Sequence, residues 1–118
     1  MESMKAINFY SANHYSQLVE RRKTCTIRRG DKRDKYQAGD IVWVTAGKRF
    51  APKQRVYAAI IDRVLVKQIS HLTKHDLQGE NPDISGVDEL LEFLESIYNK
   101  TVSLSDIVTV VYFTEIIE

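Results

Sequence analysis

The order in which hydrophobic periodicity changes along this chain constrains its fold more than any other feature. Residues 5–9 read as a short strand. Ser11 can cap a helix running to about residue 22, with Tyr15, Leu18 and Val19 at i, i+3 and i+4. Residues 24–28 alternate and are β-branched, as a strand requires. A charged loop over 30–39 ends in the turn signal Ala38-Gly39-Asp40. Residues 41–45 are apolar enough for a strand covered on both faces, and 46–53 form a second basic loop. Residues 55–68 are a long β-rich run in which a bend or bulge is expected near Asp62-Arg63. A short helix opens at 70–73 and ends near Gly79, and the Pro82 segment forces a loop. Residues 87–98 carry the clearest helical stripe, with Val87, Leu90, Leu91, Leu94, Ile97 and Tyr98 inside and Glu89, Glu92 and Glu95 outside. Residues 105–116 close as a final strand. Such an order is not a regular βαβ alternation, so it predicts a small α+β fold built as a curled sheet or open barrel.

The 118 residues are one domain's worth of chain, 1–118, and can bury a core without staples. Apolar residues make up 43% and charged residues 28%, a globular composition that excludes disorder or collagen. Uninterrupted apolar runs reach only a few residues, such as 58–61, so no membrane helix is expected. The N-terminus lacks the apolar core of a secretory signal, and the single cysteine, Cys25, permits no internal disulfide. A cytoplasmic location is the default expectation.

The net charge of +1 conceals a strong asymmetry. Residues 21–55 hold twelve Lys/Arg against three acids, a net +9, whereas residues 56–118 hold four against eleven, a net −7. A basic stretch of that density can focus positive potential on one face, which suits phosphates of RNA or nucleotides. It also reads as a solvated loop with charges spread over the surface.

The segment Arg21-Arg22-Lys23-Thr24-Cys25-Thr26-Ile27-Arg28 is the richest in chemistry. Extended, it places Thr24, Thr26 and Arg28 on one face and Cys25 and Ile27 on the other. A Thr hydroxyl needs a base to act as nucleophile. Lys23 can be that base if desolvation and its cationic neighbours lower its pKa. Lys23 would take the hydroxyl proton, Thr26 would attack a carbonyl, and a carboxylate such as Glu80 could hold the lysine or pass a proton to the leaving amine. The alternative is plain structure, since Thr favours strands and Lys and Arg coat surfaces.

Other signals are weaker. His71 and His75 stand at i, i+4, but without the Glu of H-E-x-x-H or a third ligand, so no metal site is expected. Cys25 reads as a small buried hydrophobe and Trp43 as core. Tyr10, Tyr36, Tyr57 and Phe50 lie in or near the basic half; Tyr36 and Phe50, in loops, are the better candidates for stacking on a base. No glycine-rich phosphate loop is present.

Lys23-Thr24-Cys25-Thr26-Ile27-Arg28, followed by Ala38-Gly39-Asp40 and Leu72-Thr73…Glu80-Asn81, resembles the ASCH (activating signal cointegrator homology) domain, a PUA-like β-barrel family linked to RNA. The likeness covers nearly the whole chain and is strongest to the small bacterial N(4)-acetylcytidine amidohydrolases. Those carry Gly-Arg-Lys-Thr-x-Thr-x-Arg, then Thr-Gly-Asp, then Leu-Thr…Glu-Asn, and end in a Tyr-rich strand. The resemblance implies a curled barrel of about five to six strands with two to three helices packed on it. It implies Lys23 as catalytic base, Thr26 as nucleophile and Glu80 as supporting carboxylate. Arg28 would bind ligand, with Arg22, Thr24, Arg29, Tyr36 and Phe50 around it. The reaction would release cytidine and acetate from an acylated cytidine, with no metal or cofactor. The alternative is a non-catalytic RNA-binding module in a basic cleft. The expected partner is thus a modified nucleoside or RNA, with no membrane and no obligate protein partner. Two departures stand out: Arg21 replaces the family's glycine, and the loops at 29–38 and 46–53 are longer and more basic.

Overall fold

In the computed structural model, which describes residues 5–9, 24–47, 52–80, 86–98 and 101–117, five strands form one sheet. They are β1 (Lys5–Phe9), β2 (Cys25–Arg29), β3 (Ile41–Ala46), β4 (Gln54–Gln68) and β5 (Ile107–Glu115), in the order β1-β3-β4-β5-β2. β1 runs parallel to β3, and the other pairs are antiparallel. Between β4 and β5 come a 3₁₀ turn (Ile69–His71) and two helices, α1 (Lys74–Glu80) and α2 (Val87–Tyr98). The sheet curls into a half-barrel, so the fold is the α+β curled sheet that the periodicities predict. The expected helix over 11–22 lies outside the described residues. Among the described residues no helix is long and apolar enough to cross a membrane.

The sheet has two faces and each has its own core. All of β1, β3, β4 and β5 contribute to the concave cluster, which includes Ile7, Phe9, Val42, Val44, Ile61 and Phe113. On the other face, Cys25 and Ile27 of β2 and Val108, Val110 and Tyr112 of β5 pack against Leu77 of α1 and Leu90 and Leu94 of α2. β5 therefore serves both cores. Its residues 108–113 are all buried, and its sequence is Val-rich rather than alternating for that reason. Leu90 and Leu94, with Leu91 beside them, land on the β2–β5 end of the sheet, on the face away from the barrel interior.

The bend expected near Asp62-Arg63 is a bulge. Register against β5 slips between Ile61 and Arg63. The extra residue resets the alternation, so Ile61 and Val64, three apart, both pack on the concave core. A second slip lies between Val44 and Thr45 of β3. These two irregularities give the sheet its curl.

The expectation that residues 41–45 are covered on both faces is not met. Val42 and Val44 are buried in the concave core, but Ile41 is 51% exposed and Trp43 is half-buried. No helix covers the outer face of β3 among the described residues. Trp43 instead carries the Arg55 guanidinium 4.6 Å from its ring centre, so it is capped by a cation rather than placed in the core.

The charged loop before β3 is fastened from below. Thr109 of β5, fully buried, donates its hydroxyl to Gly30 O (2.7 Å) and accepts from Lys32 N–H (2.8 Å). Gly30 and Gly39 bracket this loop at φ +84° and +93°, where a side chain would be strained.

Candidate functional site

β2 is the last strand of the sheet, and its alternation is as expected. Cys25 and Ile27 pack under the helices. Thr26 and Arg28 point to the concave side, where Arg28 lies 5.0 Å over the Phe9 ring. Thr26 is only 2% exposed, and its Oγ1 accepts a hydrogen bond of 3.0 Å from Arg28 Nε. The same guanidinium donates through Nη2 to Asn8 O of β1 at 3.0 Å. β1 and β2 are the two ends of the sheet, so one arginine side chain joins them across the open seam of the barrel. A fixed cationic donor on Oγ1 stabilises negative charge developing there.

Glu80 reaches β2 from α1. The helix is seated by a close approach of Gly79, whose backbone O accepts from Thr24 N–H at 3.0 Å. A Cβ on Gly79 would stand 2.8 Å from Cys25 Sγ and 2.9 Å from Thr24 Oγ1, so only glycine fits there. Cys25 Sγ donates to Asp76 O at 3.3 Å on the same contact. Glu80, the next residue and also 2% exposed, accepts the Ile27 N–H at 2.5 Å. That N–H lies on the outer edge of β2, where no strand among the described residues supplies an acceptor. The peptide it belongs to begins at Thr26, so a buried carboxylate and a buried hydroxyl stand one peptide unit apart.

Of the anticipated catalytic residues, then, Thr26 is held by Arg28 on the concave side, and Glu80 is held on the adjoining Ile27 N–H at the strand edge. Lys23, Arg22 and Phe50 lie outside the described residues. Thr24 is exposed at the head of β2, and Arg29 is half-buried at its tail. Tyr36 lies in its loop, but its ring is 3% exposed within the concave core. The loop folds its aromatic inward to plug the end of the barrel, so Tyr36 is not a surface for a base. Tyr57, weighed as another stacking candidate, is likewise in that core, with one edge open to a cleft described below.

A network that sequence reasoning missed holds α1 in place. Thr73 and Asp76 cap the helix reciprocally: Asp76 N–H donates to Thr73 Oγ1 (3.1 Å) and Thr73 N–H to Asp76 Oδ2 (3.0 Å). Lys67 of β4 donates to Asp76 Oδ2 at 2.7 Å, and the Tyr112 hydroxyl of β5 donates to Oδ1. Burial pushes the Asp76 carboxyl upward. The donors from Lys67, Thr73 and Tyr112 outweigh it and hold the group at about 2. The Tyr112 phenol is pushed up from its ordinary value, by burial first and then by its bond to that carboxylate. Thr73-x-x-Asp76 was legible as a capping box; the partners Lys67 and Tyr112 were not, since only the fold brings them near.

Two clefts open beside these elements. One of about 470 Å³ is lined by Arg29, Gly30, Lys32, Asp106 and Ile107. The other, about 320 Å³, lies at the head of β2. Thr24 and Thr114 line it, with Tyr57, Tyr112, Phe113 and His75 supplying aromatic surface and Asp62 and Glu115 supplying carboxylates. His75 stacks on Tyr112 with centroids 5.6 Å apart. No group of three metal-ligating side chains occurs among the described residues.

Comparison with known folds places this architecture. An ASCH domain from Lactobacillus crispatus JV V101 superimposes with a TM-score of 0.70 at 11% identity, over 96% of this chain and 79% of that one. The chain has the ASCH-domain fold. Protein EF3133 of Enterococcus faecalis V583, a DUF984 protein, matches with a TM-score of 0.71 at 17% identity, over 98% of this chain and 78% of that one. Hypothetical protein PH0355 matches at 0.68 and 16%, over 96% of this chain and all of that one. At such identities the ASCH likeness is one of fold. No family model and no curated protein matches the sequence.

Proposed function

We propose that this ASCH-fold protein is a metal-independent amidohydrolase acting on N(4)-acetylcytidine or a related acylated nucleoside. The observation that carries the reading is the Thr26 hydroxyl, buried, held by the Arg28 guanidinium, and one peptide from the buried Glu80 carboxylate. Lys23, neutral, takes the Thr26 proton while Oγ1 attacks the acetyl carbonyl. The oxyanion of the tetrahedral intermediate collapses, the C–N bond breaks, and the proton passes to the departing N4 amine. Water then attacks the acetyl-threonine ester, releasing acetate and restoring the hydroxyl. Arg28 steadies charge on Oγ1 during both attacks, and the role left for Glu80 is to hold the lysine's charge or relay a proton.

A second reading has one observation in its favour. The 470 Å³ cleft with Arg29 and Lys32 suits phosphates, as a non-catalytic RNA-binding module would need. The two separate cleanly. Incubation with N(4)-acetylcytidine, followed by chromatography of cytidine, is expected to show turnover that Lys23→Ala and Thr26→Ala each abolish. Absence of turnover by folded wild type overturns the hydrolase. RNA affinity falling by roughly 0.7 log unit per released counterion for each tenfold rise in salt then supports the module.

A further inference from the structure

α1 and α2 cover only the β2–β5 end of the outer sheet face. The β1-β3-β4 end of that face carries apolar side chains, and register sets them in two adjoining rows. Ala6 of β1 lies beside Trp43 of β3, and Trp43 beside Ala58 of β4. The Ile116 N–H donates to Ala58 O at 2.8 Å, which extends that row past the end of β5. Two residues along, Ile41 pairs with Ile60. Ala6, Ile41, Ile60 and Ile116 are exposed, and Trp43 and Ala58 are half-buried. One exposed isoleucine on a surface is ordinary, but a contiguous set on one sheet face marks a contact surface. A charge stands at each end of these rows on β4. Arg55, opposite Thr45, lays its guanidinium over the Trp43 ring. Asp62, the extra residue of the bulge, accepts a hydrogen bond of 2.5 Å from Thr114, which lies opposite Ile60 on the same face. Neither Arg55 nor Asp62 makes an ion pair among the described residues.

We infer that this face is a self-association surface, on which a second copy of the chain stacks about a two-fold axis. The charge placement selects that occupant. The midpoint of β4 between Arg55 and Asp62 falls at Ala58-Ala59, the centre of the apolar rows. A two-fold axis there lays β4 antiparallel over its own copy, as two sheets packed face to face allow. Arg55 of each copy then meets Asp62 of the other, so the contact is complementary to itself, as a closed dimer requires. Aligned sheets cross at about 30°, which offsets the two ends by about 6 Å, a gap the long arginine side chain spans. Opposite charges on either side of an apolar centre match this same surface turned through half a rotation. Four strands wide and from Arg55 to Asp62 long, the footprint is roughly 20 Å each way. That is less than an obligate dimer buries and fits a reversible one at micromolar concentrations. The contact leaves the concave side, with Thr26 and Arg28, open.

Sedimentation velocity on the full chain at low salt, from about 1 to 500 μM, tests this with wild type, Arg55→Glu, Asp62→Arg, the combined R55E/D62R variant and Ile60→Lys. Wild type is expected to pass from monomer to dimer across that range. Each single reversal sets like charges together twice per dimer and weakens association by about a hundredfold or more. The combined variant exchanges the two charges and restores the dimer to within about tenfold of wild type. Ile60→Lys buries a charge in the apolar centre and abolishes the dimer. All three positions are exposed, so thermal midpoints of the variants are expected to stay within a few degrees of wild type. Wild type that remains monomeric at the highest concentration overturns the inference. A dimer that either single reversal leaves intact overturns it too, since another surface then holds the copies. Loss in both single variants without recovery in the combined one also refutes it, because Arg55 and Asp62 then do not face each other.

Discussion

Replacing Asp76 by asparagine removes one charge and almost no volume from the network that seats α1. The carboxylate is buried and held by Lys67, Thr73 and Tyr112, and its folded-state value is about 2 against an ordinary 3.8. A depression of that size corresponds to about 2 kcal/mol at 25 °C in favour of the ionised folded state. Because the folded value is the lower one, this stabilisation is fully present above about pH 4. It declines as pH falls through the folded value, to about 1 kcal/mol at pH 3 and a few tenths at pH 2. The amide introduced by Asp76→Asn cannot ionise, so it mimics the protonated carboxyl at every pH. Urea unfolding at pH 7 is expected to show Asp76→Asn less stable than wild type by about 2 kcal/mol. At pH 3 the gap is expected to have closed by about half. A gap equal at both pH values would mean that the loss comes from packing rather than charge. No gap at pH 7 would mean that Lys67 and Tyr112 find other partners at no cost. Either result refutes the electrostatic reasoning. The variant also loosens the helix that delivers Glu80 to β2, so it is expected to slow hydrolysis without touching substrate.

Two further outcomes follow from the packing. Gly79→Ala gains helix propensity of roughly 1 kcal/mol but drives a methyl group into Cys25 and Thr24, an overpacking cost of about 1–3 kcal/mol. A lower thermal midpoint is expected, and a raised one would show that α1 can slide off β2 freely. Thr109→Val keeps shape but removes the acceptor of Lys32 N–H and the donor to Gly30 O. A loss of about 1–3 kcal/mol is expected in chemical denaturation, together with faster proteolysis within 30–36. Unchanged protease resistance would show that Tyr36 alone holds the loop.

Local pattern determined the elements of this protein. Residues 5–9 and 87–98 form the strand and the helix that their periodicity requires, and the bulge sits at Asp62-Arg63, where the alternation of 55–68 breaks. The faces of β2 were legible too, because strand geometry alone sends Thr26 and Arg28 one way and Cys25 the other. Those are properties of neighbours in the chain. Pairings between distant residues were not legible. Arg28 reads in sequence as a ligand-binding residue or a surface cation; it becomes a clasp only because sheet order places β1 and β2 at opposite ends of a curling sheet. Trp43 and Tyr36 exchange their expected places for a similar reason. Curvature gives β3 one covered face and sends the loop aromatic into the barrel end. Asp76, Lys67 and Tyr112 belong to three separate elements, and no spacing rule joins them. A sequence specifies which side chains share a face within one element, because backbone periodicity is local. Which faces meet depends on the closing of the whole sheet, and only the tertiary structure decides that.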